Sequence, residues 1–168
     1  MRHAFTTQPS LAERLIDPDP GVVVSPLAAP GLTGGAADGL DLILEGFLLH
    51  HGRPRHLNLS DNKRILAGDY CYAHGLVCVA AAGDLAIVEQ LADLVALSAS
   101  LVATSDHDVL APLWRATVAE ISRGESGKDP RLAAAKDALR TRGDHHPLRT
   151  FAAQLDPTPD LDEALTDA

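Results

Sequence analysis

Residues 65–82, ILAGDYCYAHGLVCVAAA, form the longest apolar run of the chain and contain only two strongly polar side chains, Asp69 and His74. The run is close to membrane-spanning length, but an aspartate near its centre costs about 2.5–3.5 kcal/mol on insertion scales. We therefore interpret it as a buried helix of a cytoplasmic protein. A carboxylate inside such a helix needs hydrogen-bond donors, because otherwise burial raises its pKa.

The composition around this run favours helices. Hydrophobic residues make up 46% of the 168 residues but aromatic residues only 4%, so Leu, Ala and Val must form the core. Alanine and leucine have high helix propensities. We predict an all-α, antiparallel helical bundle with residues 62–84 near its centre. The formal net charge of −9 argues against nucleic acid as a partner. No signal peptide and no transmembrane segment are predicted.

Caps and breakers define the predicted elements. The length suits one helical domain, residues 1–155, followed by an acidic, partly disordered tail at 156–168. Ser10–Glu13 has the spacing of a capping box and opens a short helix ahead of a Pro/Gly-rich connector at 17–35. Helix-start and helix-stop residues predict the remaining helices at about 38–52, 61–82, 85–102, from 105–112 to 122, and 130–143, followed by a short segment at 147–155.

Small residues of the apolar run predict how it packs. Gly68 and Gly75 each cost a helix about 1 kcal/mol relative to alanine, so they indicate close approach of a neighbouring helix. Cys71 and Cys78 lie roughly 10 Å apart along a helix. Since that separation exceeds the ~7 Å limit for a disulfide between them, we predict two reduced core thiols, although the spacing alone excludes neither a metal nor an intermolecular bond.

Three segments occur in the order found in a known enzyme family. Residues 42–50, LILEGFLLH, resemble the helix that ends in LLHDD; residues 52–56, GRPRH, resemble the RRGxPxxH loop; residues 65–70, ILAGDY, resemble the helix that opens with LAGDYLLA. Over roughly residues 22–103 the chain thus resembles the first half of trans-isoprenyl diphosphate synthases, the polyprenyl synthetase family. The resemblance implies a truncated isoprenoid synthase fold.

The metal ligands of that family are missing. Its DDxxD motif binds Mg²⁺ bridged to the allylic diphosphate, but here Leu49 is followed by His50, His51 and Gly52. No second aspartate-rich motif follows, since Asp160-Leu-Asp162 lies in the proline-bearing tail. Without those carboxylates no metal cluster assists departure of the diphosphate. The chain resembles the small, non-catalytic subunits of heteromeric synthases. That resemblance implies no cofactor on this chain, Mg²⁺ on a full-length catalytic polyprenyl diphosphate synthase partner, and the LAGDY helix at the subunit interface.

No residue is assigned a catalytic or metal-binding role, and five residues are candidates for contact with substrate or partner: Asp69, Tyr72, Arg53, Arg55 and His51. Asp69 has three interpretations. It is a buried structural residue bonded to Lys63, Arg64 or Tyr72, a ligand for diphosphate or metal, or a contact with a partner subunit.

The histidines near the end of the first apolar helix also allow more than one interpretation. His50 and His51 with His56 suit solvated loop histidines, a zinc site, or a phosphate-facing patch together with Arg53 and Arg55. Adjacent histidines point to different sides of a helix, which argues against convergence on zinc.

The favoured function is a non-catalytic small subunit of a heteromeric polyprenyl diphosphate synthase that shapes prenyl chain elongation for quinone side chains. Three alternatives stay open: a stand-alone isoprenoid- or lipid-binding helical module, a minimal metal-dependent enzyme acting on diphosphates, and a homo-oligomeric helical protein, such as a homodimer, of unrelated function.

Overall fold

A computed structural model describes residues 34–81, 83, 85–124, 128–157 and 159–166. These residues form seven α-helices and a short 3₁₀ turn at His107–Val109 ahead of the fourth. The helices are α1 Gly35–His51, α2 Asp61–Ala81, α3 Leu85–Thr104, α4 Leu110–Ser122, α5 Pro130–Arg142, α6 His146–Ala152 and α7 Pro159–Thr166. No strand is formed within the described ranges, and the all-α class is confirmed. The predicted helix at Ser10–Glu13 and the connector up to residue 33 lie outside the described residues.

Helix α5 shows how local sequence sets the helix ends. The Asp129 side chain accepts a hydrogen bond from the backbone N–H of Arg131, and Pro130 occupies the first turn, where no N–H is needed. Gly143 ends the helix with φ 63°, a left-handed conformation that glycine adopts without a Cβ clash. Both predicted ends of this helix are confirmed.

Helix α1, rather than α2, lies at the centre of the fold. Every residue from Gly39 to Leu49 is buried, and Phe47 packs against the fully buried Trp114 with ring centroids 5.6 Å apart. The prediction that residues 62–84 form the central helix is therefore wrong. Helix α2 is apolar around most of its circumference, and such a pattern does not identify which faces are covered.

The contact between α1 and α2 depends on glycine. A Cβ at Gly39 would lie 2.6 Å from the carbonyl oxygen of Gly75, and a Cβ at Gly46 would lie 3.0 Å from that of Gly68. The paired positions are 7 residues apart on each helix and run in opposite order, so the helices are antiparallel and touch backbone to backbone every two turns. The close approach predicted from the glycines is confirmed.

The inward side of α2 is made of small residues. Its buried positions are Ala67, Gly68, Cys71, Gly75 and Val79. Both cysteines are free thiols, as predicted, although Cys78 is partly exposed. Burial raises the pKa of the Cys71 and Cys78 thiols, so neither is activated as a thiolate.

The C-terminal segment contains the short helix α7, which packs on the rest of the fold. Leu161 and Leu165, one helical turn apart, are buried in the main core. Asp162 forms an ion pair with Arg115 of α4. Acidic residues and prolines dominate this part of the sequence, so the two leucines are not recognised as one apolar stripe. Two such leucines suffice to pack a short helix against the core.

Helix α3 is long and apolar enough to cross a membrane, and it is the one such helix in the described part of the chain. Five of its residues are buried in the protein: Leu91, Leu94, Leu97, Ser98 and Leu101. A core helix of a water-soluble protein meets the same criterion.

Candidate functional site

Asp69 and Tyr72 meet His50 across the α1–α2 contact. The His50 Nε2 atom lies 3.2 Å from Asp69 Oδ1, and the Tyr72 ring stacks on the His50 ring at 5.3 Å and 12°. Burial and the nearby Asp69 carboxylate raise the pKa of the Tyr72 hydroxyl. The Asp69 side chain is 65% exposed, so the expectation of a buried carboxylate is wrong. Asp69 thus lies at the edge of the α1–α2 contact, where water solvates its charge.

His51 points to a different environment from His50. Its ring lies 5.0 Å from the Phe47 ring, and burial, together with His50 and His107, lowers its pKa. His56 lies in the following loop, and all three side chains are partly covered, unlike solvated loop histidines. Among the residues that the structure describes, no three His, Cys, Asp or Glu side chains are grouped to hold a metal ion.

Glu45 anchors the loop that follows α1. It is fully buried and accepts hydrogen bonds from the backbone N–H groups of Arg55 at 3.1 Å and His56 at 2.9 Å. The Arg55 Nε atom lies 3.8 Å from Glu45 Oε2. Burial raises the pKa of Glu45 and lowers that of Arg55, while their mutual attraction opposes both shifts.

The two candidate arginines therefore do not form one phosphate-facing patch. Arg55 is mostly buried beside Glu45, whereas Arg53 is exposed. Arg64 of α2 completes the loop structure, since its guanidinium donates to the carbonyl oxygens of Leu48, Leu49 and Gly52 at the end of α1. Nothing in the sequence marks Glu45 as the loop anchor, because it is a single polar residue within an apolar run.

The side of α2 that faces away from α1 is apolar and exposed. We call it the outer α2 face: Ile65, Leu66, Ala73, Val77 and Ala80. Ile65 is 59% exposed, Leu66 71% and Val77 61%, and Leu85 at the start of α3 is also exposed. Asp69 lies next to this face. A group of exposed large apolar side chains on one helix face is informative, whereas single ones are ordinary on protein surfaces.

A second candidate site, a cavity between helices α3, α4 and α5, was not predicted from the sequence. A cavity of about 470 Å³, here called the Lys136 cleft, is lined by Glu89, Gln90, Asp93, Glu120, Lys128, Asp129, Pro130, Ala133, Lys136 and Arg140. Lys136 is 6% exposed. Its spacing to the buried Leu132, Ala135 and Leu139 of α5 is the signal that would have placed it on the inward face.

Comparisons with protein-family models, with curated proteins and with solved structures returned no match. The resemblance to the polyprenyl synthetase family therefore stays a prediction from the three sequence segments.

Proposed function

We propose that this chain is a binding subunit that pairs with a catalytic protein through the outer α2 face. In line with the sequence resemblance, the proposed partner is a full-length polyprenyl diphosphate synthase that carries both aspartate-rich motifs and the Mg²⁺. In the proposed complex the chain shapes prenyl chain elongation rather than performing the condensation itself.

The exposed apolar side chains of α2 are the observation that carries the proposal. Ile65, Leu66 and Val77 are each more than half exposed. They lie on the helix that opens with ILAGDY, the segment that the resemblance assigns to a subunit interface. Two kinds of reasoning, one from exposure and one from sequence, therefore select the same helix.

The energy available at this face suits association with a partner. Fully burying a large aliphatic side chain contributes about 1.5–3 kcal/mol, so covering the exposed parts of these three contributes roughly 3–6 kcal/mol. That amount does not by itself offset the loss of translational and rotational freedom, so a stable complex needs further contacts around it. Asp69, next to this face, already pairs with His50, and its exposed second oxygen requires a donor from the partner or continued access to water.

Co-expression tests the proposal. The tagged chain is produced with each full-length polyprenyl diphosphate synthase encoded in the same genome, and the purified material is analysed by native mass spectrometry. We expect a heteromer with one of them, and a changed product length relative to that synthase alone. Leu66→Glu places a charge on the outer face and should weaken the complex at least about tenfold, which corresponds to 1.4 kcal/mol.

Ala134→Glu is the matched control, because Ala134 is exposed on helix α5, away from the outer α2 face. It should leave the complex intact. The proposal is refuted if no synthase pairs with the chain, or if Leu66→Glu and Ala134→Glu affect the pairing equally. A homodimer that Leu66→Glu disrupts, in the absence of any heteromer, would likewise contradict it in favour of self-association.

A further inference from the structure

The Lys136 cleft lies between helices α3, α4 and α5 and contains a lysine in an unusual setting. Lys136 is almost wholly buried, yet it lines an open cavity of about 470 Å³, a volume within the range of small-molecule sites. Lysine is among the residues least often fully buried unless it is paired or has a function. The cleft therefore combines a buried amine with space for a ligand beside it.

The groups around Lys136 favour a reactive amine rather than a lysine that serves only as one half of an ion pair. Burial lowers the pKa of Lys136, and Arg140 adds to that shift, while Glu120 and Asp93 oppose it. Asp93 is engaged in an ion pair with Arg140. Glu120 uses its Oε1 atom to accept the backbone N–H of Asp129 at 2.9 Å. Glu120 lines the same cavity as Lys136 and lies close enough to attract its charge.

A further polar group in the cleft lacks a partner. The Oε1 atom of Gln90 is buried without a hydrogen bond to any described residue, and Gln90 lines the same cavity. A buried acceptor in this state is costly, and a ligand with an O–H or N–H group would satisfy it. The cleft thus offers a nucleophile, a proton carrier and a hydrogen-bond acceptor.

We propose that the Lys136 cleft is a covalent binding site for a small neutral aldehyde or ketone, in which the Lys136 amine forms an imine with the carbonyl carbon. The Lys136 ammonium first gives a proton to Glu120. The amine lone pair then forms the N–C bond as the C=O π bond breaks, and the resulting alkoxide takes up the proton that the attacking nitrogen loses, which gives a neutral carbinolamine. Loss of water, with the hydroxyl protonated by Glu120, leaves the C=N bond. One water is released for each carbonyl bound, and no oxidant or reductant is required.

The charges of the cleft select a neutral ligand. Besides Lys136, the lining carries the carboxylates of Glu89, Asp93, Glu120 and Asp129 against the cations of Lys128 and Arg140. A keto acid or a phosphorylated sugar would face these carboxylates, and like charges in a partly desolvated site repel strongly. A neutral carbonyl compound with a hydroxyl group avoids that cost and can donate to Gln90.

Reductive trapping tests the proposal directly. The chain contains three lysines, Lys63, Lys128 and Lys136, and the first two are exposed. The protein is incubated at pH 7 with hydroxyacetone or propanal and sodium cyanoborohydride, which reduces an imine to a stable secondary amine, and each lysine is quantified by peptide mass mapping. We expect Lys136 to be labelled at least about tenfold faster than the exposed lysines, with a rate that saturates as the carbonyl concentration rises.

The structural alternative predicts the opposite result. A Lys136 that only neutralises Glu120 is protected by burial, so it would be labelled more slowly than Lys63 and Lys128, and the proposal would be overturned. A linear dependence on carbonyl concentration would also overturn it, because a binding site saturates.

Lys136→Arg keeps the charge and should abolish the saturable labelling. Glu120→Gln keeps the bond to Asp129 and should slow Lys136 labelling and shift its pH profile. Glyoxylate, which is anionic, should label Lys136 more slowly than propanal.

Discussion

The contact between α1 and α2 predicts opposite outcomes for the same substitution at two glycines of one helix. At Gly75 an added Cβ would lie 2.7 Å from the carbonyl oxygen of Gly39 and 2.7 Å from Ile43 Cγ1. Ordinary van der Waals contact begins at 3.4 Å, so α1 and α2 must separate by 0.7 Å, the difference between 3.4 and 2.7 Å. A backbone carbonyl in a buried helix cannot rotate away. We place the overpacking cost of Gly75→Ala at about 2–3 kcal/mol.

Gly68→Ala is the matched control. Its added Cβ would lie even closer, 2.5 Å from His50 Nε2, but the obstacle is the end of a side chain that can change rotamer. Both substitutions gain about 1 kcal/mol of helix propensity, which cancels when they are compared. Moving His50 gives up its pairing with the exposed Asp69 and its stacking on Tyr72, which together contribute about 1 kcal/mol. Gly68→Ala should therefore stay within roughly 0.5 kcal/mol of the wild type, and Gly75→Ala should lose a net 1–2 kcal/mol.

Circular dichroism at 222 nm during thermal and urea unfolding measures the difference. At roughly 2–4 °C per kcal/mol for a domain of this size, Gly75→Ala should lower the melting temperature by about 2–8 °C, while Gly68→Ala leaves it nearly unchanged. If Gly75→Ala melts at or above the wild-type temperature, the backbone contact between α1 and α2 does not exist in solution. Equal losses for the two variants would instead mean that His50 is as immobile as the backbone.

Two further predictions concern pH and the C-terminal helix. Burial lowers the pKa of His51, so as pH falls through about 6.5 the unfolded chain takes up the proton first and stability decreases. His51→Gln should reduce this loss in urea unfolding between pH 7 and 5, whereas His146→Gln, at an exposed position, should leave it unchanged. Leu161→Ala removes a fully buried side chain at a cost of about 2–4 kcal/mol. Because α7 is short, it should detach locally, and hydrogen exchange should lose protection in α7 but retain it in α1.

Helix positions were predictable because local chemistry determines them. Pro130 and Gly143 bracket α5, and Gly52 with Pro54 ends α1, through backbone preferences that act whatever the surroundings. The glycines of α2 also predicted correctly that another helix approaches closely. What they could not identify was the partner, α1, since that depends on contacts between residues far apart in sequence.

Burial was predicted less well, because in this fold several polar residues are buried and several large apolar residues are exposed. Helix α1 contains Asp41 and Glu45 and is nevertheless buried at every position from Gly39 to Leu49, while α2 exposes Ile65 and Leu66 at the start of the longest apolar run of the sequence. Glu45 is stable in the interior because the loop after α1 folds back and donates backbone N–H groups to it. That return of the loop is a tertiary event, so neither the buried Glu45 nor the exposed Asp69 follows from local sequence.

The same mismatch between hydrophobicity and burial explains why α2 is suited to binding a partner on its outer side. Its inward face consists mainly of glycine, alanine and cysteine, which allow close approach but bury little apolar area per residue. Its large aliphatic side chains Ile65, Leu66 and Val77 lie on the outer α2 face. Docking on α1 alone therefore realises only part of the hydrophobic stabilisation that this helix can supply. A second apolar surface would supply the rest, so formation of the proposed complex and stabilisation of α2 are expected to be coupled: Leu66→Glu should weaken partner binding while changing the stability of the isolated chain little.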